Sequence, residues 1–291
     1  MNQNIVNEKA SKFLGKQLND YKTSYNPELL VPIERDLNRK DYKITNNDFV
    51  GFDIWHNYEC SFMTKKGYPV SLVGKIKIPS NSKYFIESKS MKLYFFSFHM
   101  EKLGETVEES IKIFKERVRK DLSYFTNSDV KFEVFSKKHN INTFENFKNI
   151  DELIDIEKIE FKEFKESPDL MVKGDLDEYK VVIKNVRSNC RVTHQPDFAN
   201  LYIYIKGETP TLESLLKYIV SFRNEYHFHE EVTEQIFKNI KEKFKVKDLM
   251  VANLFTRRGG IDICPVRTTN LDLVDENFIS IDVLPERTIF Q

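Results

Sequence analysis

The sequence predicts an α+β protein in which an antiparallel sheet carries helices on one face, and in which this unit occurs twice. Each half of the chain reads strand, strand, helix, helix and then one or two strands. Short sequence echoes recur in the two halves, such as Ser97-Phe98 and Ser221-Phe222. Strand-like segments alternate apolar and polar residues, whereas helical segments place apolar residues three or four positions apart.

In the first half, strands are predicted around 47–63 and 69–79, and a helix begins near Glu87. A second helix follows Thr106, which opens a T-x-x-E capping box. The apolar face of this helix consists of Ile111, Phe114, Val118 and Leu122. A strand near 130–135 closes the half.

The second half repeats this order, with strands over 179–183 and 201–205. Thr209-Pro210 is predicted to open a helix, because proline is tolerated at the first helical position. The next helix carries an i, i+4 ladder of apolar side chains, formed by Val232, Ile236, Ile240 and Phe244. Strands over 249–255 and 261–267 then flank a glycine-containing hairpin turn.

These patterns divide the chain into four parts. We predict an N-terminal extension at 1–45 and a first module at 46–140. A charge-rich, weakly patterned connector at 141–177 leads to a second module at 178–291, which carries the candidate nucleophile.

The composition excludes several classes of protein. Of the 291 residues, 40% are hydrophobic and 31% charged, as expected of a globular protein. The 45 basic and 45 acidic residues give a formal net charge of zero, which argues against nonspecific nucleic-acid binding. No stretch is long and apolar enough to cross a membrane, and the first residues lack the apolar core of a signal peptide. Cys60, Cys190 and Cys264 are therefore predicted to be free thiols of a cytoplasmic protein.

The segment R-S-N-C-R-V-T-H-Q-P-D at 187–197 combines a lone thiol with an acid. Cys190 follows a strand-like run, and Asp197 comes seven residues later, across a turn marked by Pro196. A thiolate is a nucleophile, and a nearby carboxyl can deliver or take the proton that an addition requires. Most lone cysteines are inert and buried, so the catalytic interpretation depends on neighbouring motifs.

Two helix starts and a turn supply such motifs. The segment 87–90, E-S-K-S, is either an ordinary helix cap or a glutamate that receives N–H donors from a heterocycle, beside lysines that face phosphates. Phe228-His229-Glu230 also has two interpretations. It is either the start of a helix with a surface histidine, or a binding motif in which the Phe228 ring stacks on a base, the His229 imidazole transfers protons and the Glu230 carboxylate pairs with N–H groups. Arg257-Arg258-Gly259 suits phosphate recognition, although exposed hairpin arginines are usually solvated.

Together these segments resemble the NADPH-dependent 7-cyano-7-deazaguanine reductases, the nitrile reductases of queuosine biosynthesis, in their long two-module form. Six blocks in family order span nearly the whole chain. They are L-L-V-P-I-E-R at 29–35, G-F-D-I-W-H-N-Y-E at 51–59, E-S-K-S-M-K-L-Y at 87–94, S-N-C with H-Q-P-D at 188–197, F-R-N-E-Y-H-F-H-E at 222–230, and R-R-G-G-I-D-I at 257–263.

The resemblance implies tandem tunnelling-fold modules that hold purine-like rings through a glutamate. It implies a catalytic set of Cys190 as nucleophile, Asp197 as general acid and His229 as proton-handling group. It implies substrate contacts by Glu87, Ser88, Phe228, His229 and Glu230. It implies cofactor contacts by Ser88, Lys89, Ser90, Lys92, Arg257, Arg258 and Gly259, and no metal.

The implied reaction is the four-electron reduction of the nitrile of 7-cyano-7-deazaguanine to the aminomethyl group, through a thioimidate on Cys190 and with two NADPH. The sequence lacks a G-x-G-x-x-G fingerprint, so NADPH is expected to bind in another way than in Rossmann folds. We also expect a homodimer that contacts neither nucleic acid nor membrane.

Two alternatives remain open on the residues alone. A cyclohydrolase or pterin-type enzyme of the same fold would require zinc or another acid–base set, although no C-x-x-C or H-E-x-x-H spacing occurs. A non-catalytic purine-binding protein would make Cys190 structural. Metal analysis tests the first alternative, and NADPH oxidation in the presence of the nitrile tests the second.

Overall fold

A computed structural model describes residues 24–137, 141–288 and 291, and it confirms the α+β class. Its strands are β1 Pro32–Glu34, β2 Val50–Met63, β3 Pro69–Pro79, β4 Tyr84–Ile86, β5 Lys131–Phe135, β6 Lys148–Asn149, β7 Glu178–Cys190, β8 Pro196–Gly207, β9 Tyr226–His227, β10 Val246–Phe255 and β11 Ile261–Thr268. Its α-helices are α1 Arg35–Arg39, α2 Ser88–Phe96, α3 Val107–Thr126, α4 Leu212–Ser221, α5 His229–Lys243 and α6 Glu276–Ile279.

Both predicted modules contribute to one continuous sheet. Its strand order is β5-β3-β2-β11-β10-β8-β7-β6, with β9 beside β7. The halves join where β2 and β11 pair antiparallel, with Asn57 opposite Ile261 at one end and Val50 opposite Thr268 at the other. Within the described sheet, only the pairings of β6 and β9 with β7 are parallel. The division into four parts stays a prediction.

The long helices pack on one face of the sheet, as predicted. Residues of α4 and α5 share an apolar cluster with β7, β8 and β10, while residues of α2 and α3 share a second cluster with β2 and β3. Strand alternation separates the two faces, since Val251 points to the helices and Ala252 to the opposite side. There, Phe144 and Phe278 pack against the sheet.

The helix starts agree with the sequence to within a few residues. The hydroxyl of Thr106 accepts the N–H of Glu109 at 3.1 Å, as one half of the predicted capping box. The prediction that Thr209-Pro210 opens α4 is wrong, because Thr211 is the N-cap and its hydroxyl accepts the N–H of Ser214. Pro210 therefore lies before the helix.

The described part of the predicted N-terminal extension belongs to the folded body. Strand β1 pairs antiparallel with β4, which ends directly before Glu87, and α1 follows β1. Ile33 and Phe85 form a small buried cluster there. Residues 1–23, on which the prediction of no export signal falls, lie outside the described residues. No α-helix in the described ranges is long and apolar enough to cross a membrane.

The predicted connector has little regular structure, but it is not featureless. Strand β6 adds to the edge of the sheet, with Lys148 opposite Val181. Buried Ile150 and Met171 anchor the segment in the cluster beneath α4 and α5. Its short 3-10 turns are Ile150–Glu152, Ile156–Lys158 and Pro168–Leu170.

Candidate active site

A cavity of about 330 Å³ lies where the turn after β7, the start of α5, the start of α2 and the β10–β11 turn converge. This volume is at the lower end of the range typical of small-molecule sites. All of the predicted site residues except Ser90 and Arg257 line it. The cavity therefore brings together residues from both halves of the chain.

Cys190 is the last residue of β7 and is half-buried at the cavity. A tight turn holds its backbone, because its N–H donates to the carbonyl of Gln195 at 2.8 Å and its carbonyl accepts the N–H of His194 at 2.9 Å. His194 has a φ of 57°, in the left-handed region that allows the chain to reverse here. The turn thus places the thiol close to the start of β8.

Asp197, in β8, has a side chain that is 4% exposed. Nη1 of Arg258 donates to its Oδ1 atom, and Nε2 of His229 lies 3.4 Å from its Oδ2 atom. Burial raises the pKa of Asp197, but the hydrogen bond and charge of His229 and the guanidinium of Arg258 outweigh burial. The pKa of Asp197 therefore lies below its usual value, and the carboxyl is an anion at neutral pH.

His229 is the first residue of α5, and its ring position is fixed from two sides. The ring stacks on Phe255, with centroids 3.7 Å apart and planes 5° from parallel. Its Nε2 atom faces Asp197, whereas its Nδ1 atom is buried without a hydrogen-bond partner among the described residues. The imidazole is thus held beside the carboxylate with one nitrogen left for a further partner.

Glu230 follows directly and presents a buried carboxyl to the cavity. Its Oε1 atom has no hydrogen-bond partner within the described parts of the chain. Burial and the charge of Asp53 raise the pKa of Glu230 to about 8, although Arg35 and Arg267 act in the opposite direction. A buried acceptor without a partner costs about 1–3 kcal/mol, so a ligand that donates N–H groups would relieve an existing deficit.

Buried ion pairs support the helix that carries Glu230. Asp53 pairs with Arg35 and, at 2.8 Å, with Arg267. One turn after Glu230, Glu234 accepts hydrogen bonds from Arg267 at 2.7 Å and from Arg39 at 2.6 Å. These contacts join α1, β2 and β11 to α5, so the N-terminal segment supports the helix that carries Glu230.

Glu87 and Ser90 are engaged by their own helix. The two carboxylate oxygens of Glu87 accept the N–H groups of Lys89 at 2.8 Å and of Ser90 at 2.7 Å, so this residue is the N-cap of α2. Burial raises the pKa of Glu87, although these hydrogen bonds oppose it. The hydroxyl of Ser90 donates to the Glu87 carbonyl and accepts the N–H of Val31, and the residue is fully buried. Ser90 consequently supports the wall without lining the cavity.

Lys89 and Lys92 form the cationic edge of the cavity, and Gly259 lies beside them. Neither lysine pairs with a carboxylate in the part of the chain that the structure describes. Gly259 has a φ of 57°, and a Cβ atom there would lie 2.8 Å from Nζ of Lys92. Arg257 instead stacks over the ring of Tyr58 at 4.4 Å, outside the cavity.

The two other cysteines lie in the core. Cys60 and Cys264 are buried, and burial raises the pKa of both thiols far above their usual value. All three cysteines are free, as the sequence predicts, and Cys190 differs from the others in reaching the cavity.

A cluster of metal-ligand types lies away from the cavity, where His56, Asp262 and Cys264 are close together and buried. Nδ1 of His56 lies 2.7 Å from Asp262. Two nitrogens of the Arg287 guanidinium lie 3.1 and 3.2 Å from the two His56 ring nitrogens. Nη1 of Arg287 also lies 3.8 Å from Oδ2 of Asp262, so a cationic side chain already balances this carboxylate.

The sequence motifs did not indicate all of the lining residues. Val192, Thr193 and Gln195 lie in the turn between Cys190 and Asp197, and this proximity was the available signal. Phe85 and Thr256 also line the cavity, and neither carries a chemical pattern that distinguishes it from an ordinary core or loop residue.

Comparison with known proteins agrees with these features. Residues 21–134 match a family model described as "Nitrile reductase, 7-cyano-7-deazaguanine-reductase N-term", and residues 196–272 match one described as "QueF-like protein". A relative from Rickettsia bellii (strain OSU 85-389), named NADPH-dependent 7-cyano-7-deazaguanine reductase, is 39% identical over 267 residues, which cover 90% of this chain and 94% of the relative. A relative of the same name from Acinetobacter baumannii (strain SDF) is 36% identical over 261 residues, which cover 89% of this chain and 93% of the relative.

Proposed function

The chain belongs to the family of NADPH-dependent 7-cyano-7-deazaguanine reductases, and from this membership we propose that it reduces the nitrile of 7-cyano-7-deazaguanine to the primary amine of 7-aminomethyl-7-deazaguanine. The structural observation that supports the proposal is one cavity that holds a half-buried thiol, a carboxylate beside an imidazole, and a buried carboxyl whose Oε1 atom has no partner within the described ranges.

The ring of the substrate is bound through Glu230. A 7-deazaguanine ring presents adjacent N–H donors, and the Oε1 atom of Glu230 is a buried acceptor without a partner among the residues that the structure describes. The ionised carboxylate accepts hydrogen bonds from both N–H groups of the ring. A protonated carboxyl would instead direct its own O–H group at one of these N–H donors. Phe228, which contacts Phe85 edge-on at 5.2 Å, offers an aromatic surface beside this carboxylate.

Covalent addition needs one proton to move from sulfur to nitrogen. Asp197 begins as an anion, so it is suited to take the proton of the Cys190 thiol. The sulfur then bonds to the nitrile carbon while one carbon–nitrogen π bond opens, and the protonated Asp197 returns its proton to the nitrogen. Deprotonation of the thiol thus produces the protonated Asp197 that then acts as general acid toward the nitrile nitrogen. His229 orients Asp197 and supports proton exchange with the ligand.

The residues present fit a nicotinamide dinucleotide. Lys89 and Lys92 are cations without carboxylate partners in the described ranges, and Gly259 leaves the space beside Nζ of Lys92 open. NADPH supplies hydride when bound, twice per nitrile. Two hydrides and two protons convert a nitrile to an amine. At the first reduction the thioimidate carbon would take hydride and its nitrogen a proton; the carbon–sulfur bond would then break, one N–H proton would return to the Cys190 sulfur, and the imine would remain. At the second reduction the imine carbon would take hydride and its nitrogen a proton, which gives the amine.

For the assembly we propose tandem tunnelling-fold modules, with the first at 46–140 and the second at 178–291, in a cytoplasmic homodimer. The repeated order of strand, strand, helix and helix around the β2–β11 junction supports this proposal. The product is a precursor for tRNA modification, and a direct contact with nucleic acid is not required by the cavity.

The proposal is tested by NADPH oxidation after addition of 7-cyano-7-deazaguanine to purified protein. We expect two NADPH per nitrile, with the primary amine as the product detected by mass spectrometry. A ratio of one, accumulation of an aldehyde derived from the imine, or no oxidation contradicts the proposal.

A further inference from the structure

Arg258 pairs with the carboxylate of Asp197, although it lies next to the cationic edge of the cavity. Its Nη1 atom donates to Oδ1 of Asp197, and its Nη2 atom donates to Oε1 of Gln195 at 2.6 Å. The Asp197 side chain is 4% exposed and that of Arg258 is 39% exposed. The guanidinium therefore covers a buried carboxylate from the solvent side of the cavity.

The same side chain is adjacent to the proposed phosphate site. Gly259 follows Arg258 and lies against the ammonium group of Lys92. The backbone of Arg258 is fixed, because its N–H donates to the carbonyl of Ile261 and its carbonyl accepts the N–H of Ile261. A change of partner by Arg258 thus requires movement of an exposed side chain and not of the turn.

The Asp197 pair has a consequence for proton delivery. While Arg258 and His229 hold Asp197 as an anion, this carboxylate has no proton to give to the substrate nitrogen, which needs one at each reduction. Loss of the guanidinium leaves a buried carboxyl with less positive charge around it, which favours the protonated form. A phosphate that draws Arg258 away would increase this preference, because it is an anion itself.

We propose that Arg258 exchanges Asp197 for a phosphate of the nicotinamide dinucleotide, so that cofactor binding loads a proton from solvent onto Asp197. This inference rests on the proposed function and deepens it. Arg258 is a positioning residue that acts through Asp197. In turnover the cofactor binds after the addition, when Asp197 has returned the thiol proton and is an anion again. The proton that Asp197 then acquires is the one it gives to nitrogen after hydride has reached carbon, so each reduction takes one hydride and one proton and no other reductant is needed.

The test is the number of protons taken up when NADP⁺ binds in the absence of nitrile. Calorimetric titrations in buffers of different ionisation enthalpy measure this number without turnover. The 2′-phosphate of the dinucleotide titrates itself, with a pKa near 6 as expected of a phosphomonoester, so each value is compared with that of Asp197→Asn. Arg258→Gln tests the exchange through an exposed residue, and Arg257→Gln is the matched control.

We expect the wild type to take up about one proton more than Asp197→Asn, at a pH between the pKa values of the paired and the released carboxyl. Arg257→Gln should keep this difference, and Arg258→Gln should lose it, because its Asp197 is released before NADP⁺ binds. Equal proton uptake by the wild type and Asp197→Asn, or a wild-type value in Arg258→Gln, overturns the exchange alone. Failure of the wild type to bind NADP⁺ overturns the proposed function as well.

Discussion

Replacement of Glu230 by glutamine should weaken nitrile binding selectively. The carboxyl is buried, and its Oε1 atom has no protein partner among the described residues. Glu230→Gln keeps the size of the side chain, but it replaces one acceptor with an NH₂ group that faces the N–H donors of the ring. A hydrogen bond to a charged group contributes about 1.5–3 kcal/mol, so the dissociation constant of the nitrile should rise about 10- to 100-fold.

The pH dependence gives this prediction a second readout. Burial and Asp53 raise the pKa of Glu230 to about 8, so most of the carboxyl is protonated at pH 7 before ligand binds. Because the ring requires the carboxylate, affinity should rise with pH and level off above that pKa. One unit below the pKa only about a tenth of the sites are ionised, so the apparent dissociation constant is about tenfold above its limiting value. Glu230→Gln should bind independently of pH in this range.

Calorimetric titration in a Cys190→Ala background measures reversible binding, because the adduct cannot form there. Glu242→Gln is the matched control, since Glu242 lies on the same helix and is 61% exposed. NADPH affinity should be unchanged in both variants. If Glu230→Gln binds the nitrile as tightly as the Cys190→Ala parent does, or if its affinity depends on pH in the same way, Glu230 does not anchor the ring.

Three further predictions concern the thiol, the acid and the cationic edge. Asp197→Asn should slow adduct formation about 10²- to 10⁴-fold, the usual contribution of an acid–base group, in stopped-flow measurements of nitrile addition; an unchanged rate contradicts its role. Lys92→Ala should raise the NADPH concentration needed for half-maximal rate and leave nitrile affinity unchanged, whereas an unaltered NADPH requirement shows that Lys92 is a solvated side chain. Iodoacetamide should modify Cys190 before buried Cys60 and Cys264, as peptide mapping would show, and equal modification of the three thiols would contradict the burial of Cys60 and Cys264.

Much of the site could be predicted because local chain geometry brings its residues together. Cys190 is the last residue of β7 and Asp197 the second residue of β8, and Asn189 lies opposite Pro196 in the pairing of these strands. A separation of seven residues in sequence therefore becomes a tight hairpin. His229 and Glu230 follow as the first residues of α5, where an acidic residue also complements the helix dipole. Each of these placements depends on contacts within a few residues.

The remaining features depend on contacts across the fold. The partner of Arg258 is Asp197, 61 positions earlier, and a basic turn gives no indication of which anion it will meet. Arg35 reaches Asp53 because β1 pairs with β4, a pairing that three residues of strand cannot signal. Ser90 lies within a chemically suggestive motif, yet the helical turn directs its hydroxyl to the Glu87 carbonyl. The partners of these side chains, and whether a residue lines the cavity, therefore depend on long-range strand pairing and side-chain direction, which composition and spacing do not indicate.

The covalent step is tested most directly by intact-protein mass spectrometry after incubation with 7-cyano-7-deazaguanine in the absence of NADPH. We expect the protein mass to increase by that of one whole nitrile molecule, because addition of a thiol expels no leaving group. Peptide mapping should place it on Cys190, and Cys190→Ala should show none. An unmodified wild-type protein that nevertheless oxidises NADPH with the nitrile, or an adduct on Cys60 or Cys264, would contradict the assignment of the nucleophile.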